Sequence, residues 1–325
     1  MRGFQNKYAK IFGRRRLPAL LLAAGLMLLL GMGCGAPEGS QPTVPVEIGL
    51  TESTPVPSAA PLPTTPAPAP TQAPDMLFDD SGNITLSKEY LSQFSAKTYS
   101  FDHTPRILIY HTHAREAFRS PETTLSPGVS PTPTPSSSAE MRSTNREENV
   151  IHLGDVLAEA LTRQGFTVLH DTSDVEDPTL STAYERSRKV MESYQKIDIY
   201  IDLHRNAANV SRAKDDVVMI GGRRAARMFF VVGTGITADS NAQELSNWKE
   251  NYAFALSVTE QLQGVDQRLT KEIRVKQGGY YNQDLGLCLL AEVGHNANLM
   301  TDAEETVAYF AEALRAVCNF KQKVE

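Results

Sequence analysis

Three apolar runs, each ending in a histidine or a carboxylate, most constrain what this chain can fold into. The first, Ile107–Tyr110, leads straight into His111, Thr112 and His113, with Glu116 shortly after. The second, Asp198–Leu203, closes on His204, Arg205 and Asn206. The third, Leu287–Val293, carries Glu292 near its end, with His295 just beyond. Short aliphatic and aromatic runs bounded by polar residues read as buried strands. In open α/β sheets, chemistry gathers at the carboxyl ends of strands. A charge inside a buried strand is costly unless it is paired or bound to metal. Imidazole and carboxylate groups at one relative place on three strands therefore point to a metal site. For any one of them alone, hydrogen bonding within a turn is the plainer alternative.

The segments between these runs alternate in type. Asn149–Arg163 places Val150, Leu153, Leu157 and Leu161 on one helical face. Phe166–His170 predicts a short strand, Thr182–Gln195 a charged helix, and Met228–Val232 a buried strand. Trp248–Leu262 and Asp302–Phe320 predict two further helices. Strand–helix alternation of this kind predicts an α/β fold: a mostly parallel central sheet with helices on both faces. The expected domain covers 101–325.

The chain of 325 residues does not give all its length to that domain. Residues 1–16 are basic and carry no acid. Leu17–Ala36 follows, 20 residues without a charge, long enough as a helix to cross a hydrocarbon core of about 30 Å. With basic residues ahead of it, the segment predicts a single-pass signal anchor in the cell membrane. The N-terminus stays in the cytoplasm and the domain lies outside it. A cleaved signal peptide and a lipoprotein signal at Cys34 are the alternatives. The apolar stretch is long for the first, and Gly31 stands where the second wants an aliphatic residue. Residues 37–100 read as a linker and entry segment. Its Pro/Thr-rich part, Pro37–Pro74, has no apolar period and predicts an extended, disordered tether. Residues 120–138, rich in Ser-Pro and Thr-Pro, predict a disordered surface insertion.

The three cysteines, Cys34, Cys288 and Cys318, match neither a disulfide framework nor a zinc knuckle. The net charge of −6 and the lack of a basic stripe argue against nucleic acid as a partner.

Four segments in order carry a family resemblance: Ile-Tyr-His-Thr-His-Ala-Arg-Glu, Asn-Val-Ile-His-Leu-Gly-Asp-Val-Leu, Ile-Asp-Leu-His-Arg-Asn-Ala and Glu-Val-Gly-His-Asn-Ala-Asn. Together they resemble stage II sporulation protein P, a cell-wall hydrolase of engulfment in endospore-forming bacteria. Their order is also similar to that of the wider zinc N-acetylmuramoyl-L-alanine amidases. The resemblance runs from about Arg106 to Phe320. It implies an amidase-like fold and an exported Zn2+ enzyme acting on peptidoglycan. The bond cut would join N-acetylmuramic acid to the L-Ala of the stem peptide, with peptide cross-links as a second target. It also implies stage II sporulation protein D as a partner. A metal-free amidase fold that only binds peptidoglycan is the alternative.

On that resemblance, His113 and His204 are expected metal ligands and Glu292 the catalytic carboxylate. His111 is the alternative to His113, and otherwise supports the site or faces substrate. The wider amidases take the third ligand from the start of the first helix, where Asn145, Glu147 and Glu148 stand. Glu116 is the favoured choice, because it is fixed to the same turn as His113. Arg205, Asn206 and His295 are expected beside the site or against substrate, and Tyr280, Tyr281 and Asn282 along the cleft. His103, His152 and His170 read as ordinary surface or helix histidines. Two histidines, one carboxylate and an open position suit a zinc that acidifies water and polarises an amide carbonyl.

Overall fold

The computed structural model describes residues 76–321, apart from Ser81 and residues 120–141, 208–215, 237–243 and 279–281. The expected anchor at 17–36, the tether at 37–74 and the insertion at 120–138 therefore lie outside the described residues. Among the described residues no helix is long and apolar enough to cross a membrane.

The strands, in chain order, begin with β1 (Met76–Phe78), β2 (Asn83–Leu86), β3 (Tyr99–Ser100), β4 (Arg106–Tyr110), β5 (Thr167–His170) and β6 (Ile199–Asn206). They continue with β7 (Val217–Ile220), β8 (Arg223–Ala226), β9 (Met228–Gly233), β10 (Arg274–Lys276), β11 (Leu287–His295) and β12 (Cys318–Asn319). The helices are α1 (Lys88–Leu91), α2 (Val150–Arg163), α3 (Ala183–Ser193), α4 (Trp248–Val265) and α5 (Met300–Val317). Every strand and helix expected within 101–325 is present, with ends shifted by a few residues.

The main sheet has eight strands in the order β1-β2-β10-β9-β11-β6-β4-β5. The three motif strands β4, β6 and β11 are neighbours and mutually parallel, so their carboxyl ends share one edge. The sheet is nevertheless mixed. β9 runs antiparallel to β11, and β2 antiparallel to β10. All eight residues of β6 are buried, as a central strand covered on both faces requires.

Side-chain alternation divides the sheet into two faces. Ile107, Ile109, Ile199, Ile201, Leu203, Leu289 and Ala291 enter the large core with α2, α4 and α5. Leu108, Tyr110, Tyr200 and Cys288 face the other way, against Met191 of α3. Among the described residues helices thus cover both faces, α2, α4, α5 and the short α1 on one side and α3 on the other. The α3 side is the thinner side.

The ordered domain begins earlier than Phe101. β2 pairs with β10 inside the main sheet. Tyr90 stacks on Trp248 of α4 with centroids 6.4 Å apart, and Phe94 lies 5.9 Å from the same ring. Residues from 76 onward therefore pack as part of the fold rather than as entry chain. The hairpin β7–β8, which the apolar pattern did not predict, turns through Gly221 and Gly222 with φ of +59° and +83°. A two-residue hairpin turn needs positive φ at both places, which glycine adopts without strain.

Helix α2 illustrates how packing selects residues. Its Asn149 cap accepts the Ile151 N–H at 2.9 Å. Gly154 faces two imidazoles: a Cβ there would lie 2.4 Å from His170 Nε2 and 2.7 Å from His111 Nε2. Alanine at a helix interior gains about 0.5–1 kcal/mol over glycine. Overpacking costs about 1–3 kcal/mol, and His111 is buried and held at both ring nitrogens. Gly154→Ala is therefore expected to lower the denaturation midpoint. A midpoint equal to or above that of the parent protein would show that the histidine pair yields freely.

Candidate metal and catalytic centre

The centre forms where β6 and β11 run side by side. Their register sets Tyr200 beside Cys288, Asp202 beside Leu290, and His204 beside Glu292. Neighbouring residues in register share a face, so Asp202, His204 and Glu292 all project from the α3 side. The loop after β4 brings His113 and Glu116 over them. His204 Nδ1 lies 3.3 Å from Glu116 Oε2. The His113 ring meets the His204 ring edge-on at 5.1 Å and Tyr184 of α3 at 5.6 Å.

Carboxylates fix these groups in place. Asp202 accepts the Thr112 N–H at 2.9 Å and the Thr112 hydroxyl at 2.6 Å, which ties the loop to the sheet. Asp202 Oδ1 also lies 2.9 Å from His204 Nε2. Glu116 Oε2 accepts the Arg205 N–H at 3.0 Å. Glu176 accepts from the Arg115 N–H at 2.9 Å and from Arg142, bracing the outer side of the loop.

The electrostatics follow from burial and mutual charge. Burial opposes the charge on Glu116, but His204, Arg205 and His113 outweigh it and hold its pKa at about 2. Burial, and then the negative charge of Glu116, push Glu292 up to about 7. Burial opposes a charged His204, yet Asp202 and Glu116 raise its pKa well above the ordinary range. Burial and the charge of His204 push His113 down to about 4.

The residues fit a zinc ion by donor type and by charge. Two imidazoles and a carboxylate, His113, His204 and Glu116, are a usual catalytic zinc set. His113 Nδ1 and Glu292 Oε2 are buried and unpartnered among the described residues, and buried polar atoms normally find partners. Glu116 and Asp202 are held ionised and are balanced by Arg205 and a charged His204; with both imidazoles neutral, as metal ligands must be, the cluster would carry a net negative charge that a cation offsets. Asp202 lies against His204 Nε2, the ring nitrogen turned away from Glu116, as a charge contact without hydrogen-bond geometry. Among the described residues no group of three or more His, Cys, Asp or Glu side chains is placed to hold a metal ion as it stands, so the fit rests on donor type and charge.

Of the other expected residues, some lie beside this cluster and some away from it. His111 has the opposite parity from Tyr110 and points to the α2 side. It lies 2.9 Å from the Leu203 carbonyl through Nδ1 and 2.8 Å from His170 through Nε2. A carbonyl only accepts, so Nδ1 carries the proton and Nε2 accepts from His170. Burial, and then His170, push its pKa down to about 3. His111 therefore supports the β4–β6 junction and does not face the α3 side.

His170 is corrected: it is no surface histidine but a half-buried link from His111 to Asp155, 2.9 Å away. His103 meets Asp102 and Asp198, and His152 meets Glu304, both at the domain surface. Arg205 is buried and donates to the Ala117 carbonyl at 3.0 Å, close beside Glu116. Asn206 is buried and pairs in register with His295. His295 is also buried, and its Nδ1 accepts the Ala297 N–H at 3.0 Å, so it braces the end of β11.

At the start of α2, Glu147 is exposed near His152, and Glu148 accepts from Ser143 at 3.0 Å. Asn145 caps the same turn. Of the alternatives for a third ligand, the structure brings only Glu116 to His204. Asn282 donates to the Tyr184 carbonyl at 2.7 Å and so braces α3; Tyr280 and Tyr281 lie outside the described residues. Asp202 was missed in the sequence. Its signal was the one that marked Glu292, a carboxylate within an apolar strand.

A model of the family Stage II sporulation protein P matches residues 71–315. A search of curated proteins finds no match. Among solved structures, the CwlD amidase from Clostridioides difficile in complex with the GerS lipoprotein is 16% identical. That match covers 65% of this chain and 94% of the other at a TM-score of 0.39. The catalytic domain of the CD27L endolysin targeting Clostridia Difficile is 15% identical, covering 67% and 99% at 0.39. The apo N-acetylmuramyl-L-alanine amidase Ami1 from Mycobacterium abscessus is 13% identical, covering 66% and 96% at 0.37. At these scores the likenesses support no inference about activity. The family match does not depend on them: it spans every motif strand and the loop that brings His113 and Glu116 to His204. This chain belongs to the stage II sporulation protein P family.

Proposed function

We propose that this protein is a zinc-dependent peptidoglycan hydrolase that cleaves the amide between N-acetylmuramic acid and the L-Ala of the stem peptide. The observation that carries the reading is the row His204–Glu292 on adjacent parallel strands, capped by Glu116 and His113. His113, Glu116 and His204 would hold the metal. Zinc, when bound, acidifies water and polarises a carbonyl.

Glu292 moves the proton. Burial and the neighbouring Glu116 raise its pKa above the ordinary carboxylate range, the direction that suits a group that must accept a proton and release it. It takes the proton of the attacking water on its buried Oε2 and delivers it to the amide nitrogen as the C–N bond breaks. The products are a lactyl carboxylate on the glycan and a free amine on the stem peptide. Asp202 and Thr112 keep His204 and the His113 loop in register during this exchange.

The same reading places the domain outside the cell membrane on the anchor and tether of its N-terminus, acting in engulfment with stage II sporulation protein D. The basic run and uncharged stretch ahead of the domain support this, as does the family.

Metal removal tests the cofactor. The purified domain is expected to carry one zinc per chain by elemental analysis. It should lose hydrolysis in a chelator and regain it with added Zn2+. Full turnover by protein shown to be free of divalent metal would overturn the zinc assignment.

A further inference from the structure

The row that holds the centre continues across two more strands. In register, His204 of β6 stands beside Glu292 of β11, and Glu292 beside Phe229 of β9. On β10, Arg274 pairs with Val231, which shares the face of Phe229 because it lies two residues along the same strand. Val275, the next residue, enters the opposite core, so Arg274 lies on the α3 side. Its guanidinium leans back over the Phe229 ring, 4.2 Å from the centroid. That draws its charge into the row of Glu292 and His204.

Arg274 is exposed, and its guanidinium makes no hydrogen bond or ion pair among the described residues. The neighbouring cation Lys271 differs: it is bound to Asp216 at 2.6 Å. The stacked guanidinium is flat, oriented and uncommitted, a state suited to bidentate capture of a carboxylate. Strands are about 4.8 Å apart. The guanidinium above Phe229 therefore stands about 10 Å from His204 across the row, the length of two or three extended residues at about 3.3–3.6 Å each.

We propose that Arg274 is a specificity-determining residue that binds a carboxylate of the substrate peptide, two or three residues from the amide cut at the His113–Glu116–His204–Glu292 centre. This rests on the hydrolase reading above. An acidic stem peptide would lie across the four strands, its amide at His204 and its carboxylate on Arg274.

The test compares a muramoyl peptide bearing free carboxylates with the same peptide fully amidated, using wild type, Arg274→Ala and Arg274→Lys. A charge-assisted contact of this kind predicts a KM for the free acid raised roughly tenfold or more in Arg274→Ala. Turnover number should change little. The amidated peptide, which gains nothing from Arg274, should show one KM in both proteins. Arg274→Lys should recover part of the loss. An equal loss on both peptides, or no loss on either, overturns the proposal.

If wild type cleaves neither peptide, the hydrolase reading fails, and calorimetric binding of the same peptides decides the subsite. Weaker binding of the free acid by Arg274→Ala upholds it. Equal binding by the two proteins overturns it. Arg274 is exposed and packs on one ring, so matching melting curves are expected and separate a lost contact from a lost fold.

Discussion

Glu292→Gln is expected to keep its zinc and to lose at least about 100-fold of hydrolysis, since a positioned proton carrier contributes about 10²–10⁴-fold. The substitution keeps the shape of the side chain and removes its ability to take a proton. Glu292 Oε2 has no partner among the described residues, so the amide leaves no ion pair broken. The loss should fall on turnover rather than on KM, because the group acts in the transition state. Elemental analysis and a melting curve keep the reading clean. Near wild-type turnover in a folded, zinc-loaded variant would place the proton carrier elsewhere.

His204→Ala is expected to have a double effect. It removes a metal donor, and it leaves Asp202 and Glu116 as two buried acids without the imidazole between them. Removing one partner of a buried ion pair typically costs about 3–5 kcal/mol. The variant should therefore lose stoichiometric zinc and melt well below the parent protein. Asp202→Asn separates the two contributions. It spares the donor set and removes the carboxylate against His204 Nε2, so it should weaken zinc binding about 10- to 100-fold while keeping the metal site. If His204→Ala retained one tightly bound zinc per chain, the assignment of His204 as a ligand would be wrong.

Much of this centre was legible in the sequence because each motif strand announces its own end. Ile107–Tyr110 and Ile199–Leu203 are apolar runs that stop on histidine, and Glu292 is a charge where a buried strand does not tolerate one. What no single strand can announce is its neighbour. The pairing of His204 with Glu292 is a contact across 88 residues of chain, set by the parallel register of β6 and β11.

The choice between His111 and His113 was a question of faces. The two look alike in sequence, but His111 follows Ile109 toward α2 while His113 is carried by the loop to the α3 side. Parity places His111 on the α2 side, but His113 has the same parity, and only the turn after β4 carries it across to the α3 side. Asp202 was overlooked although it sits two residues before His204 in the same apolar strand.

The early strands escaped for a different reason. Met76–Phe78 and Asn83–Leu86 are short, lie beside a Pro-rich stretch and pair only at the antiparallel edge of the sheet. Three or four residues are too few to establish a period of two. Their place came from tertiary contacts, including the packing of Tyr90 and Phe94 on Trp248. The same limit applies to β7 and β8, whose turn glycines are plain in the sequence but whose strands are only four residues each.

The central claim is the bond that is cut, and mass spectrometry of purified peptidoglycan digested by the zinc-loaded domain tests it most directly. The account predicts released stem peptides that begin with a free L-Ala amine, together with glycan whose N-acetylmuramic acid ends in a lactyl carboxylate. Products in which every stem remains joined to its sugar, with only the peptide cross-links opened, would contradict it.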